Sequence, residues 1–245
     1  PNYDFYEKAI SYPYLAPSKP FSFVNGKCLE GIHISLKDRK PILSVGSNRS
    51  PYQLKNKFSL TENLCVTPAT LLNSEIVYSS SISAYGSIPA TQWPLKGARV
   101  ELNVLWLNNR QLQIMHLTEG IGIAYDFVEL TEGSVLIKDI QYNGPVYGYI
   151  SVNGVYGYDD KHPIRLSNLK SFNSKLYKKN EFETLNYIKN YFEIEYLSLK
   201  HWINKLIVEQ NYRIELINKM TKKSLKPINP PWKKIKVNVK GVKIF

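Results

Sequence analysis

Residues 41–51 read PILSVGSNRSP, and this stretch decides the fold. Its first five residues are a short apolar run, which is typical of a buried strand. Gly46 follows and permits a sharp turn, and Ser50 and Pro51 resemble an N-cap and a first helical residue. A strand, a tight turn and a helix are therefore predicted in direct succession. Successive backbone N–H groups in such a turn point into one concavity, which suits a carboxylate or a developing oxyanion.

A second candidate for chemistry is the segment Thr118-Glu119-Gly120. A short helix is predicted over 109–117 and a strand over 121–130, so Glu119 lies at the junction of two elements. A carboxylate held there inside a pocket could act as a general base, whereas a Glu before a Gly is more often a surface residue. His116, three residues earlier, could orient Glu119, although a partly buried polar group is the favoured interpretation.

Taken together, in this order, the two segments resemble the γ-glutamylcyclotransferase-like family. Its loop after the first strand has a Tyr-Gly-Ser-Asn-Leu pattern, which residues 45–49 match as Val45-Gly46-Ser47-Asn48-Arg49. Its catalytic Glu lies in a later Glu-Gly segment, which residues 112–120 match, and residues 87–91 resemble its Ala-Thr segment. The resemblance covers about half of the chain. It departs at Val45 and Arg49, which replace a Tyr and a Leu.

The resemblance implies an α+β fold built on a small mixed β-barrel with flanking helices. It also implies that the backbone of Val45, Gly46, Ser47 and Asn48 holds a γ-glutamyl group, while Glu119 is the base that promotes release of 5-oxoproline. Tyr85 is a further candidate for lining the pocket, although strand tyrosines often serve cross-strand packing. No metal and no cofactor are expected in this chemistry.

The chain is divided by composition into four parts. Residues 1–36 are predicted to be an irregular lead-in, 37–160 the barrel domain, 161–221 a helical extension and 222–245 a basic tail. Strands are predicted over 76–85 and 100–107, and one or two helices within 180–221, where apolar residues recur at helical spacing. Asn153-Gly154, between two tyrosine-rich runs, is a type I′ hairpin signal.

Composition and charge leave two rival interpretations open. The net charge is +12, but eight lysines and no acid lie between Lys222 and Phe245, which leaves +4 for the rest of the chain. This tail could contact nucleic acid, although solvated lysines from a biased composition are the favoured alternative. The second rival is a non-catalytic binding module of the same fold, suggested by Val45 and Arg49.

The remaining sequence features favour a soluble cytoplasmic protein. Hydrophobic residues make up 43% of the chain, too many for a disordered protein, and no apolar run is long enough to span a membrane. Cys28 and Cys65 form neither a disulfide framework nor a metal-ligand spacing, so two reduced, partly buried thiols are expected. The oligomeric state is not indicated.

Overall fold

The computed structural model describes residues 3–157, 159 and 161–237. Its first elements lie in the segment predicted to be irregular, and that prediction is wrong. Helix α1 spans Phe5–Ile10 and begins with a capping box, in which the Asp4 side chain accepts from the N–H of Glu7. Strands β1 (Phe21–Val24) and β2 (Lys27–Glu30) form a hairpin. Asn25 and Gly26 both have positive φ, as a type I′ turn requires.

The predicted strand–turn–helix junction is present. Strand β3 (Lys40–Ser44) leads into a 3-10 turn at Ser47–Arg49 and then into helix α2 (Pro51–Lys57), with Pro51 in the first turn. Two long strands follow, β4 (Leu64–Tyr78) and β5 (Ala90–Leu107). Helix α3 (Asn109–Glu119) comes next, then β6 (Tyr125–Leu130), β7 (Val135–Ile137) and β8 (Tyr147–Ser151). Strand β4 therefore ends before the predicted limit at residue 85, and β6 begins later than predicted.

The C-terminal part contains short strands before its helices. These strands are β9 (Arg165–Leu166), β10 (Ser171–Phe172) and β11 (Lys178–Lys179). Three helices follow, α4 (Glu181–Tyr191), α5 (Leu199–Val208) and α6 (Gln210–Lys222), where one or two were predicted. Between α4 and α5 the chain turns without glycine or proline. Glu193 adopts a positive φ there, and Ser198 caps α5 by accepting from the His201 N–H.

The mixed α+β class is confirmed. The strand pairings do not form the predicted closed barrel. The sheet runs in the order β11-β9-β4-β5-β3-β8-β6-β12, where β12 is Trp232–Lys234. Among the described residues, no pairing joins β11 to β12. The long β4–β5 ribbon changes partners along its length: β3 pairs with one end of β5 and β10 pairs near its middle. The sheet therefore branches and twists instead of closing.

The predicted hairpin at 153–154 is also wrong. Gly154 has φ 76°, but Asn153 does not lie in the left-handed region, so the turn is not type I′. After the turn, Val155 bridges to Ser79 and Leu225 and does not return along β8.

Both faces of the sheet are covered by helices. Successive residues of β5 alternate between two apolar clusters, because side chains of a strand point to opposite faces. Val104 and Trp106 pack in the cluster that also holds side chains of α4, α5 and α6. Leu105 and Leu107 pack in the other, with Leu54 of α2 and Met115 of α3. Helices α2 and α3 thereby pack in the same apolar cluster, on the same face of the sheet.

The state of the two cysteines agrees with the sequence-based expectation only in part. Both cysteines are free; Cys65 is buried, but Cys28 is exposed, contrary to expectation. Within the described part of the chain, the helices are all too short or too polar to cross a membrane.

Candidate functional site

A cavity of about 860 Å³ lies where β3 ends, between α2, the end of α3 and the loop that joins β4 to β5. We call it the Glu119 cavity. Six of the seven residues predicted from the sequence line it: Val45, Gly46, Ser47, Asn48, Tyr85 and Glu119. His116 is not among its lining residues. The fold thus brings together two segments that are more than seventy residues apart in the chain.

The loop formed by residues 45–48, here called the Gly46 loop, lines the cavity and contains backbone N–H groups without protein acceptors among the described residues. Gly46 is required by packing, since a Cβ there would overlap the Tyr12 hydroxyl oxygen and lie 3.0 Å from Tyr12 Cζ. In the described part of the chain, the N–H groups of Ser47 and Asn48 donate to no protein acceptor. Ser50 N–H closes the 3-10 turn by donating to Ser47 O at 2.9 Å. The loop therefore has the donors that an anionic oxygen needs.

Glu119 is positioned by the end of helix α3. The helix begins with a capping box between Asn108 and Gln111 and ends at Gly120, which adopts the left-handed conformation at φ 60°. Glu119 is the last helical residue, and its Oε1 accepts from Asn48 Nδ2 at 3.1 Å. The carboxylate is thus tied to the Gly46 loop by a direct hydrogen bond.

Lys57 is a member of the site that the sequence did not reveal. It lies in the last turn of α2, and its Nζ pairs with Glu119 Oε1. The same ammonium donates to Asn48 Oδ1 at 2.9 Å. The sequence holds no signal for this role, since Lys55 and Lys57 are both ordinary lysines at a helix end.

Four tyrosines complete the polar wall: Tyr12, Tyr85, Tyr125 and Tyr149. Burial is the main cause that raises the pKa of each phenol, and the Glu119 carboxylate adds to the rise in the pKa of Tyr85, Tyr125 and Tyr149. At neutral pH these hydroxyls are therefore protonated and can donate hydrogen bonds. Of the four, Tyr85 is the one predicted from the sequence as a site residue. Its raised pKa is partly offset by hydrogen bonds with the Ser47 and Ser87 side chains.

His116 lies behind this wall instead of beside Glu119. It is 2% exposed, and its Nδ1 is 2.9 Å from the Tyr149 hydroxyl. Burial, with a smaller contribution from Lys40, lowers the pKa of His116 to about 4, so the ring is neutral at physiological pH. In the described structure His116 has no hydrogen bond with Glu119, and it contacts the cavity through Tyr149.

The two departures from the family pattern have different consequences. Val45 lines the cavity, so a hydroxyl is missing there. Arg49 does not line it: its Nε donates to Asn103 Oδ1 at 2.8 Å, and burial lowers its pKa to about 10. The extra charge at position 49 is therefore directed away from the cavity.

The N-terminal segment supplies part of the cavity. Lys8 of α1 and Tyr12 both line it, and Lys8 Nζ lies 5.0 Å from the centroid of the Tyr85 ring, a cation–π distance. With Lys57 and Glu119, the charged side chains known to line the cavity are two cations and one anion.

Part of the basic tail lies within the described residues. Lys222 ends α6, and Lys233 and Lys234 belong to β12, where Lys234 Nζ pairs with Asp126 at 2.6 Å. Lys240 and Lys243 lie outside the described residues. Contact between this segment and nucleic acid stays a prediction.

Two of the solved structures that match this chain are similar to it in part. One is the solution structure of a protein from Arabidopsis thaliana, with 16% identity, 73% of this chain and 97% of that chain covered, and a TM-score of 0.39. The other is a gamma-glutamyl cyclotransferase, with 14% identity, 76% of this chain and 99% of that chain covered, and a TM-score of 0.37. No family model and no curated protein matches the sequence. At these identities and TM-scores, neither structure indicates a function for this chain.

Proposed function

We propose that the Glu119 cavity binds a γ-glutamyl amide or a related amide and converts it to 5-oxoproline, with Glu119 as the general base. The observation that carries the proposal is the convergence of a carboxylate, free backbone donors and protonated phenols in one cavity. These are the groups that an internal attack of an amine on a carbonyl requires: an acceptor for the proton and donors for the oxyanion.

In the proposed reaction, the substrate's α-amine attacks its own γ-carbonyl carbon. Glu119 takes a proton from the amine as the new C–N bond forms, and the Ser47 and Asn48 N–H groups bind the oxyanion. The original amide bond then breaks, and the proton passes from Glu119 to the departing amine. Because the nucleophile and the electrophile belong to one molecule, the protein mainly orients the substrate and stabilises charge. No cofactor takes part in this scheme.

The hydrogen bonds of Glu119 fit a division of labour between its two oxygens. Asn48 and Lys57 both donate to Oε1. None of the hydrogen bonds among the described residues uses Oε2. In the proposal, Oε1 holds the carboxylate in place and Oε2 accepts the proton.

A second candidate is a binding module without turnover, and the Lys57 ion pair favours it. An ammonium bound to Glu119 already neutralises the carboxylate. The cavity would then hold a small carboxylate ligand on the Gly46 loop and leave it unchanged.

The decisive experiment measures 5-oxoproline by mass spectrometry after incubation with a panel of γ-glutamyl peptides and amines. Wild type, Glu119→Gln and the exposed control Glu132→Gln are compared. Product from wild type and Glu132→Gln but not from Glu119→Gln supports the cyclisation. Calorimetric binding of γ-glutamyl peptides without product supports the binding module. Equal product from all three proteins removes Glu119 from the mechanism.

A further inference from the structure

Tyr12 is a buried residue that lines the Glu119 cavity. It belongs to a segment that none of the sequence motifs includes. It lies between α1 and β1 and is 4% exposed. Its hydroxyl oxygen accepts a hydrogen bond from the N–H of Ala90, the first residue of β5, at 2.8 Å. This bond uses the phenol as an acceptor only, so its own proton is still available to a partner.

The Tyr12 proton has no acceptor among the described residues. Burial, reinforced by Tyr125 and Tyr85, raises the pKa of Tyr12 well above its ordinary value, so the hydroxyl keeps its proton throughout the working range of pH. A hydroxyl that accepts a hydrogen bond is polarised and becomes a better donor. Tyr12 is therefore a buried donor without a protein acceptor in the described chain.

The position of this hydroxyl connects it with the Gly46 loop. The absence of a side chain at Gly46 allows the Tyr12 oxygen to lie against the loop backbone. Ser47 and Asn48, the next two residues, have N–H groups without acceptors in the described protein. Phenolic and backbone donors thus meet at one place on the cavity wall.

We propose that Tyr12 is a ligand-binding residue whose hydroxyl donates to the same negatively charged oxygen that the Gly46 loop holds. The proposal deepens the function proposed above and rests on it, because it assigns this oxygen to the γ-carbonyl of the amide during attack. A donor that is strongest toward the oxyanion lowers the barrier more than it tightens substrate binding. Tyr12 then acts on kcat more than on KM.

The competing explanation is structural: Tyr12 could serve only to satisfy the Ala90 N–H. Tyr14→Phe is a matched control, since Tyr14 lies in the same segment, its hydroxyl donates to Lys8 O at 3.1 Å, and it does not line the cavity. A structural role alone would lower the thermal stability of Tyr12→Phe without changing the kcat of the folded fraction.

The test compares the full chain with Tyr12→Phe and Tyr14→Phe, using turnover of γ-glutamyl amides and calorimetric binding of 5-oxo-L-proline. We expect Tyr12→Phe to lower kcat about 100-fold, the loss typical of one oxyanion donor, with little change in KM. We expect Tyr14→Phe to match wild type. Equal kcat for both variants overturns the role of Tyr12 and leaves the proposed function intact.

The two proposals can fail separately. If wild type releases no 5-oxoproline but binds it, and Tyr12→Phe binds it about tenfold more weakly, the reaction and the oxyanion assignment are wrong, while Tyr12 remains a ligand-binding residue. If wild type shows no turnover and no binding, both proposals are overturned. Should Tyr12→Phe not fold, 3-fluorotyrosine at position 12 keeps the hydroxyl, and an unchanged ¹⁹F signal at saturating 5-oxo-L-proline overturns the proposal.

Discussion

The Lys57 ammonium and the Glu119 carboxylate form an ion pair at the wall of the cavity, with side chains that are 7% and 13% exposed. Asn48 joins the pair from both sides, since its amide donates to Glu119 and its carbonyl accepts from Lys57. Three residues from α2, the Gly46 loop and α3 therefore form one closed hydrogen-bonded group. Loss of any one member leaves a buried polar group without its partner.

Lys57→Met is expected to destabilise the protein by about 2–4 kcal/mol, because it leaves a carboxylate of low exposure uncompensated. Lys55→Met, an exposed change on the same helix, should stay within about 0.5 kcal/mol of wild type. Urea denaturation measures both. The double variant Lys57→Met/Glu119→Gln should recover part of the loss, and a double variant less stable than Lys57→Met would contradict a favourable pairing.

Gly46→Ala is expected to destabilise by about 1–3 kcal/mol, the usual cost of overpacking, because the new methyl group collides with the Tyr12 hydroxyl. Gly148→Ala is the matched control: a Cβ there meets Leu130 at 3.7 Å, an ordinary contact. Thermal and urea unfolding of both variants test this. If Tyr12→Phe does not reduce the effect of Gly46→Ala, the collision is not its cause.

We expect acid to lower the free energy of unfolding of the protein, because His116 becomes protonated. Burial lowers the pKa of His116 from 6.5 to about 4, so the unfolded chain binds a proton at higher pH than the folded chain does. The stabilisation is complete above pH 6.5 and is lost as the pH falls toward 4. It amounts to on the order of 3 kcal/mol.

The measurement is the free energy of unfolding at pH 7 and pH 4.5 for wild type, His116→Gln and the exposed control His201→Gln. We expect a smaller loss on acidification in His116→Gln than in the other two proteins. An identical pH dependence in all three proteins would show that His116 is protonated as easily in the folded state as in the unfolded chain.

We expect Glu181 to have the opposite effect on the pH dependence of stability: its contribution is lost as the pH rises. It is 1% exposed, and burial raises its pKa well above the ordinary value of 4.5, although the Ile88 N–H donates to its Oε1. The folded protein thus holds the proton more tightly than the unfolded chain. This contribution to stability is complete below pH 4.5 and is lost as the pH rises toward the raised pKa of the folded state.

Glu181→Gln keeps an acceptor for Ile88 and cannot ionise. We therefore expect it to gain stability relative to wild type between pH 5 and pH 8, as measured by urea denaturation, while the exposed control Glu195→Gln follows wild type. A constant difference between Glu181→Gln and wild type across this range would contradict a raised pKa.

The parts of the site that could be predicted from sequence are those with local signals. The strand before Gly46, the helix start at Pro51 and the helix that ends at Gly120 each depend on a few adjacent residues. Their prediction placed the Gly46 loop and Glu119 at element ends, and both line one cavity. The catalytic role of Glu119 stays a prediction.

What the sequence did not reveal depends on distant contacts. Lys57 and Tyr12 have no local motif, and their partners Glu119 and Ala90 are 62 and 78 residues away. Even a strong local signal depends on context. Asn25-Gly26 forms a type I′ turn, whereas Asn153-Gly154 does not, because Val155 bridges to Ser79 and Leu225 instead of returning along β8.

Because Tyr12 contacts Gly46 and Ala90, a fragment of this chain that keeps the whole cavity must include the N-terminal segment. A fragment that began at Lys37 would retain every motif by which the site is recognised. It would nevertheless lose Lys8 and Tyr12 from the cavity wall and the acceptor of the Ala90 N–H. The Glu119 cavity would then be open to water on that side. The motifs lie in one segment, but the pocket is assembled by segments that the motifs do not include.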